Sequence, residues 1–112
     1  MIFYEVKYSV TYFETLNKLI EYKLIYGEVP FDILSFVKLI KNYCEKLSYY
    51  PNRNPVFKFK KSKKHIFRKL LIENYVFIYE VYKKESIVKV HAVFNNKQNI
   101  NINFFNIFGN EA

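Results

Sequence analysis

Three apolar runs of strand length follow one another in the second half of the chain. They cover 66–72, 75–82 and 87–94, and short polar breaks at 73–74 and 83–86 separate them. β-Branched and aromatic residues dominate the runs, as a pleated and partly buried surface favours. Apolar runs joined by turn-length breaks are typical of neighbouring antiparallel strands. The pattern therefore predicts an antiparallel meander.

An alternating segment and two amphipathic patterns come before the meander. Tyr4, Val6 and Tyr8 alternate with polar residues, which is the period of a β-strand. Apolar residues at spacings of three and four then predict helices over 12–26 and 30–49. In the first helix this spacing links Phe13, Leu16, Leu19, Ile20, Lys23 and Leu24, and the aliphatic members of this set define the apolar face. The apolar stripe of the second helix consists of Ile33, Phe36, Val37, Ile40, Tyr43, Cys44 and Leu47.

Local signals bound the two helices. Either Ser9 or Thr11 can cap the first helix, because a hydroxyl oxygen accepts a hydrogen bond from a backbone N–H at a helix start. Gly27 is expected to end it, since glycine adopts the left-handed conformation without a Cβ penalty. Pro30 fits the first turn of the second helix, and Pro51 is expected to end it because the residue before proline avoids the helical region.

Together these elements predict a single α+β domain over 1–112. It has two layers in the order β-α-α-β-β-β, with an antiparallel helix hairpin on one face of an antiparallel sheet meander. The first strand is expected beside a meander strand. Residues 56–60 are expected to form a short edge strand, whose lysines hinder pairing with other chains. The tail, 100–112, mixes asparagine with apolar residues and has no assigned structure.

Composition narrows the class of protein. The chain has 112 residues, with 12 Phe and 11 Tyr, which is enough apolar material for one packed core. The lone Cys44 cannot form an internal disulfide and is interpreted as a buried, inert thiol. We find no signal peptide and no apolar run near the ~20 residues that span a bilayer. The sequence therefore predicts a cytoplasmic protein without a membrane partner.

The net charge of +8 favours an anionic partner. Lysine clusters between residues 58 and 69, so that much of the charge enters the predicted sheet at one corner. This clustering favours a binding role over a merely soluble basic surface. The candidate residues for nucleic-acid binding are Arg53, Lys58, Lys60, Lys61, Lys63 and Lys64. For Arg53 the alternative role is a hydrogen bond to a carbonyl at the end of a helix.

Several short motifs occur along the chain in a characteristic order. They are the proline- and asparagine-rich segment 50–55, the segment 68–81 with its Asn-Tyr turn and Tyr-x-Val ending, the stretch 90–94 and the following 97–99. In that order, and after a strand and two helices, they resemble the RelE/ParE toxin superfamily over residues 3 to 99. The resemblance implies the fold described above. It also implies a toxin that an acidic antitoxin protein wraps and neutralises.

The resemblance implies two alternative mechanisms. RelE-like members cleave mRNA in the ribosomal A site, whereas ParE-like members poison DNA gyrase and are not nucleases. The preferred hypothesis is a ribosome-dependent mRNA endoribonuclease, because the lysine-rich segment and Lys97 suit RNA phosphates. A gyrase poison is the alternative, and an inactive relative that only binds its partner is the third. Val76 and Ala92 stand where relatives carry arginine, which favours the two alternatives.

The resemblance assigns candidate catalytic roles to Arg68, Lys69 and Lys97. Arg68 and Lys97 are expected to flank the open end of the meander, where each would place a positive charge near phosphate. His91 is interpreted as a strand histidine held by packing, with acid or base as the alternative. His65 is interpreted as solvated at the end of the lysine run, or repelled toward its neutral form by its neighbours, with acid or base again as the alternative. No metal-ligand spacing, Gly-rich phosphate loop or Ser-His-Asp set is present, so no cofactor or metal is predicted.

Overall fold

Five strands and two helices make up the part of the chain that the computed structural model describes, residues 3–27, 30–58, 65–100 and 103–104. Two single-turn 3₁₀ segments, Lys46–Ser48 and Pro51–Arg53, connect the helices to the later strands. In chain order the elements are β1 (Glu5–Tyr8), α1 (Val10–Ile25), α2 (Pro30–Glu45), β2 (Val56–Phe57), β3 (Phe67–Ile72), β4 (Tyr75–Tyr82) and β5 (Ile87–Asn95).

The strands form one sheet in the order β1-β5-β4-β3-β2. The β3-β4-β5 meander is antiparallel, as predicted, and its strand bounds agree with the prediction to within one residue. β1 pairs with the meander strand β5, which confirms the expected neighbour, and the pairing is parallel. The edge strand β2 has only two residues, Val56 and Phe57, and Lys58 lies outside it. The α+β class with a helix hairpin on one sheet face is confirmed.

The predicted helix boundaries need small corrections. α1 begins at Val10, where Ser9 is the cap whose side chain accepts a hydrogen bond from the backbone N–H of Tyr12. Gly27 follows the helix with a φ of +87°, as its predicted role requires. α2 ends at Glu45, before the predicted limit. Pro51 therefore does not end that helix; it begins a 3₁₀ turn after Tyr50, which has a left-handed φ of 46°.

The buried side of α1 differs from the predicted apolar face. Tyr12, Thr15 and Leu16 are the buried residues of this helix, whereas Leu24 is 48% and Phe13 is 50% exposed. The side that turns inward is the one whose hydroxyl groups bond to β5, so hydrogen bonding sets it together with hydrophobicity. The stripe predicted for the second helix is confirmed: Phe36, Ile40, Tyr43 and Cys44 of α2 are buried, as is Leu47 of the following 3₁₀ segment. Ile33 and Val37, the other two members, are half-buried.

Two hydrophobic cores lie on the two sides of the sheet. The larger packs α1 and α2 against alternate residues of β3, β4 and β5, among them Leu70, Phe77 and Tyr79. We call the opposite side the second face; its smaller core consists of Phe57, Phe67, Val76, Ile78, Ala92, Phe94 and Phe104. Phe104, from the unassigned tail, is fully buried and packs edge-on against Phe67 with ring centroids 4.9 Å apart. Part of the second face is therefore covered.

The start of α1 completes the edge of β5 beyond the end of β1. The backbone N–H of Ser9 donates to the Val90 carbonyl, and the Thr11 hydroxyl donates to the His91 carbonyl at 2.8 Å. The backbone N–H of Val93 donates in turn to the Thr15 hydroxyl at 3.0 Å. Side-chain hydroxyl groups of α1 thus form hydrogen bonds with backbone N–H and C=O groups of β5, which would otherwise need a neighbouring strand as their partner. None of the helices within the described residues is both long and apolar enough to span a bilayer.

Candidate functional site

A β-bulge in β5 sets the position of His91. Ile78 pairs with Ala92 and the next residue, Tyr79, pairs with Val90, so His91 is the extra residue of the bulged strand. Its side chain lies on the second face, where its ring packs edge-on against Phe67. His91 is only 3% exposed, which confirms the interpretation of a packed strand histidine.

The buried carboxylate of Glu80 is the centre of a hydrogen-bonded network on this face. Its Oε1 lies 2.7 Å from Nε2 of His91, and its Oε2 lies 2.9 Å from Nδ1 of His65. The hydroxyl of Tyr82 donates to Oε1 at 3.1 Å. Both carboxylate oxygens are therefore engaged, as burial of a carboxylate requires. We call His65, Glu80, His91 and Tyr82 the Glu80 network.

His65 is held from two directions. In addition to its contact with Glu80, its ring stacks on Phe67 with centroids 5.6 Å apart and an interplanar angle of 16°. The expectation of a solvated side chain is therefore wrong, although 28% of the His65 side chain is still exposed, against 4% for His91. The buried carboxylate of Glu80 therefore holds the His65 ring in place.

The electrostatics of the network favour an ionised Glu80. Burial by itself raises the pKa of this carboxyl, but hydrogen bonds and charge attraction from His91 and His65 more than offset it, so the pKa lies below its ordinary value. The same carboxylate adds to burial in raising the pKa of Tyr82 to about 12. Glu80 is thus an anion and Tyr82 a neutral donor near neutral pH.

Arg68 and Lys69 lie on opposite faces of β3. Alternation along the strand places Lys69 on the second face with Phe67, where it is exposed, and Arg68 on the helix side with Leu70. The guanidinium of Arg68 donates to the Asn54 carbonyl at 2.6 Å. In the structure it therefore fastens the segment that leads into β2.

Lys97 lies near the other end of the meander. It is exposed in the turn after β5, and its backbone N–H donates to Oδ1 of Asn95 at 3.0 Å. Lys97 lines a cleft of about 570 Å³ between this turn and α1. Lys18 and Glu14 of α1 line the same cleft. Asn95 is level with the end of β3, whereas Arg68 is near the beginning of that strand. The expectation that Arg68 and Lys97 flank one open end is wrong.

The structure does not gather the four predicted catalytic residues. His91 belongs to the Glu80 network, Lys69 lies on the same face, and Arg68 and Lys97 lie elsewhere. Of the candidates for nucleic-acid binding, Arg53 and Lys58 are exposed. The remaining four, Lys60, Lys61, Lys63 and Lys64, lie outside the described residues.

Glu80 is the functional candidate that the sequence analysis missed. A signal was present, because Glu80 is the only charged residue of β4. The strand register pairs it with Lys89, and His91, two residues further along β5, bonds to it from the diagonal position. Among the described residues, no three His, Cys, Asp or Glu side chains are grouped as a metal ion would need. Burial raises the pKa of Cys44 to about 12, in line with an inert thiol.

Comparisons with known proteins identify the fold. No family model matches the sequence, and no curated protein matches it. A chain of the RelBE2 toxin–antitoxin complex from Mycobacterium tuberculosis superposes with a TM-score of 0.57 at 17% identity, over 88% of this chain and 97% of that chain. A chain of the archaeal RelE–RelB complex from Pyrococcus horikoshii OT3 gives a TM-score of 0.48 at 16% identity, over 87% and 99%. The chain therefore shares its fold with a chain of a RelBE toxin–antitoxin complex, as the resemblance implied.

Proposed function

We propose that this chain is the toxin of a toxin–antitoxin pair and that it cleaves mRNA on the ribosome, in the cytoplasm and without a metal ion. The observation that carries the nuclease proposal is the Glu80 network, in which one carboxylate engages two imidazoles on the second face. Exposed Lys69 lies on that face, and the lysine-rich segment directly precedes His65 in the sequence. The fold that the chain shares with a member of a toxin–antitoxin complex supports the wider proposal.

Metal-free RNA cleavage requires a base for the 2′-hydroxyl, a cation for the phosphate and an acid for the leaving oxygen. Imidazole is suited to proton transfer, because its unperturbed pKa of about 6.5 lies near neutral pH. Lysine side chains supply charge to the phosphate, and a net charge of +8 attracts RNA over a long range. The second face therefore offers a base and a cation for this reaction.

An acidic antitoxin is the protein partner in this proposal. The charge of the chain attracts an acidic protein, and its helices expose apolar side chains, including Ile25, which is 78% exposed. Burial of apolar groups is not screened by salt, whereas surface charge attraction is. We therefore expect co-expression with the neighbouring gene product to give a complex that survives high salt; loss of the complex in high salt would leave only charge attraction.

The direct test is expression without the antitoxin, followed by primer extension on ribosome-bound mRNA. New 5′ ends within codons are expected in cells that express the wild-type chain. Lys97→Ala should relieve toxicity, since removal of one preorganised electrostatic contact costs on the order of 3 kcal/mol, about a hundredfold in rate. Lys84→Ala, in the exposed turn between β4 and β5, is the matched control and should remain toxic.

Arg68→Ala should also relieve toxicity, but the structure adds a requirement to this experiment. Because the guanidinium bonds to the Asn54 carbonyl, the substitution also removes a structural contact. The free energy of unfolding must therefore be measured beside toxicity. If Arg68→Ala and Lys97→Ala are both fully toxic at wild-type expression levels, the cationic site assignment is wrong.

Gyrase poisoning is the second candidate, and the dispersal of Arg68, Lys69 and Lys97 favours it. Because these three cations lie on separate surfaces, they suit contacts with a protein partner better than contacts with one phosphate. A supercoiling assay with purified gyrase distinguishes the two mechanisms, because trapped cleavage complexes without new mRNA ends indicate the poison. An inactive relative would give neither result while still binding its antitoxin.

A further inference from the structure

We infer that His65 is the general base of the proposed cleavage, that Glu80 orients it, and that His91 is a positioning residue behind the carboxylate. This inference rests on the proposed nuclease function. It goes beyond that proposal because it assigns a separate role to each member of the Glu80 network. The cationic candidates Arg68, Lys69 and Lys97 came from the family resemblance, whereas these roles come from the geometry of the second face.

The first step concerns orientation. A base is effective when its ring is fixed before the substrate arrives. The ring of His65 is fixed by the bond from Nδ1 to Oε2 of Glu80 and by stacking on Phe67. Glu80 is itself fixed through its other oxygen by His91 and Tyr82. The arrangement is a chain of oriented groups that ends at His65.

The second step concerns protons. An ionised carboxylate only accepts hydrogen bonds, so each nitrogen that bonds to Glu80 must carry a hydrogen. Nδ1 of His65 therefore carries a hydrogen, so that in the base form of this ring the lone pair lies on Nε2. In His91 it is Nε2 that carries the hydrogen shared with Glu80. A carboxylate that fixes the tautomer of a catalytic imidazole in this way is a known device in acyl transfer.

The third step concerns access. The exposed fraction of the side chain is 28% for His65, 7% for Glu80 and 4% for His91. Of these three, His65 is the one that RNA can reach, and Lys63 and Lys64 precede it directly in the sequence. Burial therefore separates the roles, with a reachable imidazole outside and its support within the second face.

The reaction balances without a co-reactant. Nε2 of His65 takes the proton of the ribose 2′-hydroxyl, and the 2′-oxygen forms a bond to the adjacent phosphorus. The bond from phosphorus to the 5′-oxygen breaks, and that oxygen takes a proton from water. The products are a 2′,3′-cyclic phosphate and a 5′-hydroxyl end. The imidazolium returns its proton to solvent, which completes the cycle.

The test is single-turnover cleavage of ribosome-bound mRNA by the purified chain across pH. We expect His65→Gln to lower the rate by about a hundredfold or more, the usual contribution of a positioned base. The acid limb of the pH profile should disappear with it. In His65→Gly, added imidazole should restore part of the rate. Among the described residues Glu80 bonds to His65 directly, and the other titratable groups on this face of the neighbouring strands are His91, Tyr82, Lys69 and Lys89. His91→Gln and Tyr82→Phe are therefore included, and both should keep the acid limb.

The outcomes separate this inference from the proposed function. If the wild-type chain cleaves and His65→Gln cleaves equally with an unchanged pH profile, the base assignment is overturned while the nuclease stands. If the wild-type chain does not cleave, the nuclease proposal is overturned and the inference falls with it. Thermal unfolding of each variant shows whether it is folded; imidazole rescue of His65→Gly supports the base role even if His65→Gln is unstable, and an absence of rescue in a folded variant contradicts it.

Discussion

At the scale of single residues, Glu80 is a buried carboxylate whose two oxygens are both hydrogen-bonded. A buried carboxylate is stable only when its oxygens are paired, and here two imidazoles and a phenol pair them. The sequence shows a lone acid in an apolar strand but not its partners. His65 is fifteen positions away and His91 eleven, and neither spacing is a recognised motif.

Glu80 should make the stability of the protein depend on acid. Its pKa in the folded protein lies below the ordinary 4.5, so the carboxylate contributes stability that is fully present above that value. That contribution is lost as pH falls through the lower, folded-state pKa. Denaturant unfolding should therefore show a steeper loss of stability on acidification for the wild type than for Glu80→Gln.

At neutral pH, Glu80→Gln should reduce the free energy of unfolding by about 1.5–3 kcal/mol, the range for hydrogen bonds to a charged group. Glu85→Gln, in the exposed turn after β4, is the matched control and should change it by less than about 0.5 kcal/mol. Equal effects of the two substitutions would mean that the Glu80 network contributes nothing to stability.

At the scale of elements, helix α1 is also an edge of the sheet. Periodicity predicted where the helix lies, but it could not predict which side is buried. Leu24 has the hydrophobicity of a core residue, yet its side chain is half exposed. Polar Thr15 is only 3% exposed, because its hydroxyl oxygen accepts a hydrogen bond from the backbone N–H of Val93. Long-range hydrogen bonds of this kind leave no trace in a hydropathy pattern.

Thr15→Val tests this role of α1. Valine has a similar volume and no hydroxyl, so the buried N–H of Val93 loses its acceptor. We expect a loss of about 1–3 kcal/mol in the free energy of unfolding, the cost of an unsatisfied buried group. Hydrogen exchange of the Val93 amide should accelerate. Thr15→Ser keeps the hydroxyl and should retain the slow exchange; fast exchange in both variants would show that packing, not the bond, protects this amide.

At the scale of the whole molecule, the order of elements was predictable and the distribution of charge was not. Each meander strand has a strong period-two or continuous apolar signal, and the strand bounds agree to within one residue. The surfaces on which Arg68 and Lys97 lie depend on strand register and on the turn after β5. A family resemblance that aligns positions does not place them in space.

The net charge of +8 predicts salt-dependent binding to RNA. The logarithm of the association constant for single-stranded RNA should fall linearly with the logarithm of salt concentration, with a slope of about −0.7 for each phosphate neutralised. If Lys69 contacts a phosphate, Lys69→Gln should reduce the slope by about 0.7. Lys41→Gln, exposed on α2, should leave it unchanged. Equal slopes for all three proteins would remove Lys69 from the interface.

The parallel pairing of β1 with β5 has a consequence for the time at which the protein becomes functional. The Ser9 hydroxyl bonds to the His91 carbonyl across 82 positions, and β1 pairs with β5, so β1 must wait for the last strand of the meander. Contacts of such high sequence separation form slowly. During translation α1 therefore has no sheet edge to complete, and His91 is not yet available to Glu80. A nascent chain therefore cannot complete the Glu80 network, or any activity that depends on it, until β5 has left the exit tunnel.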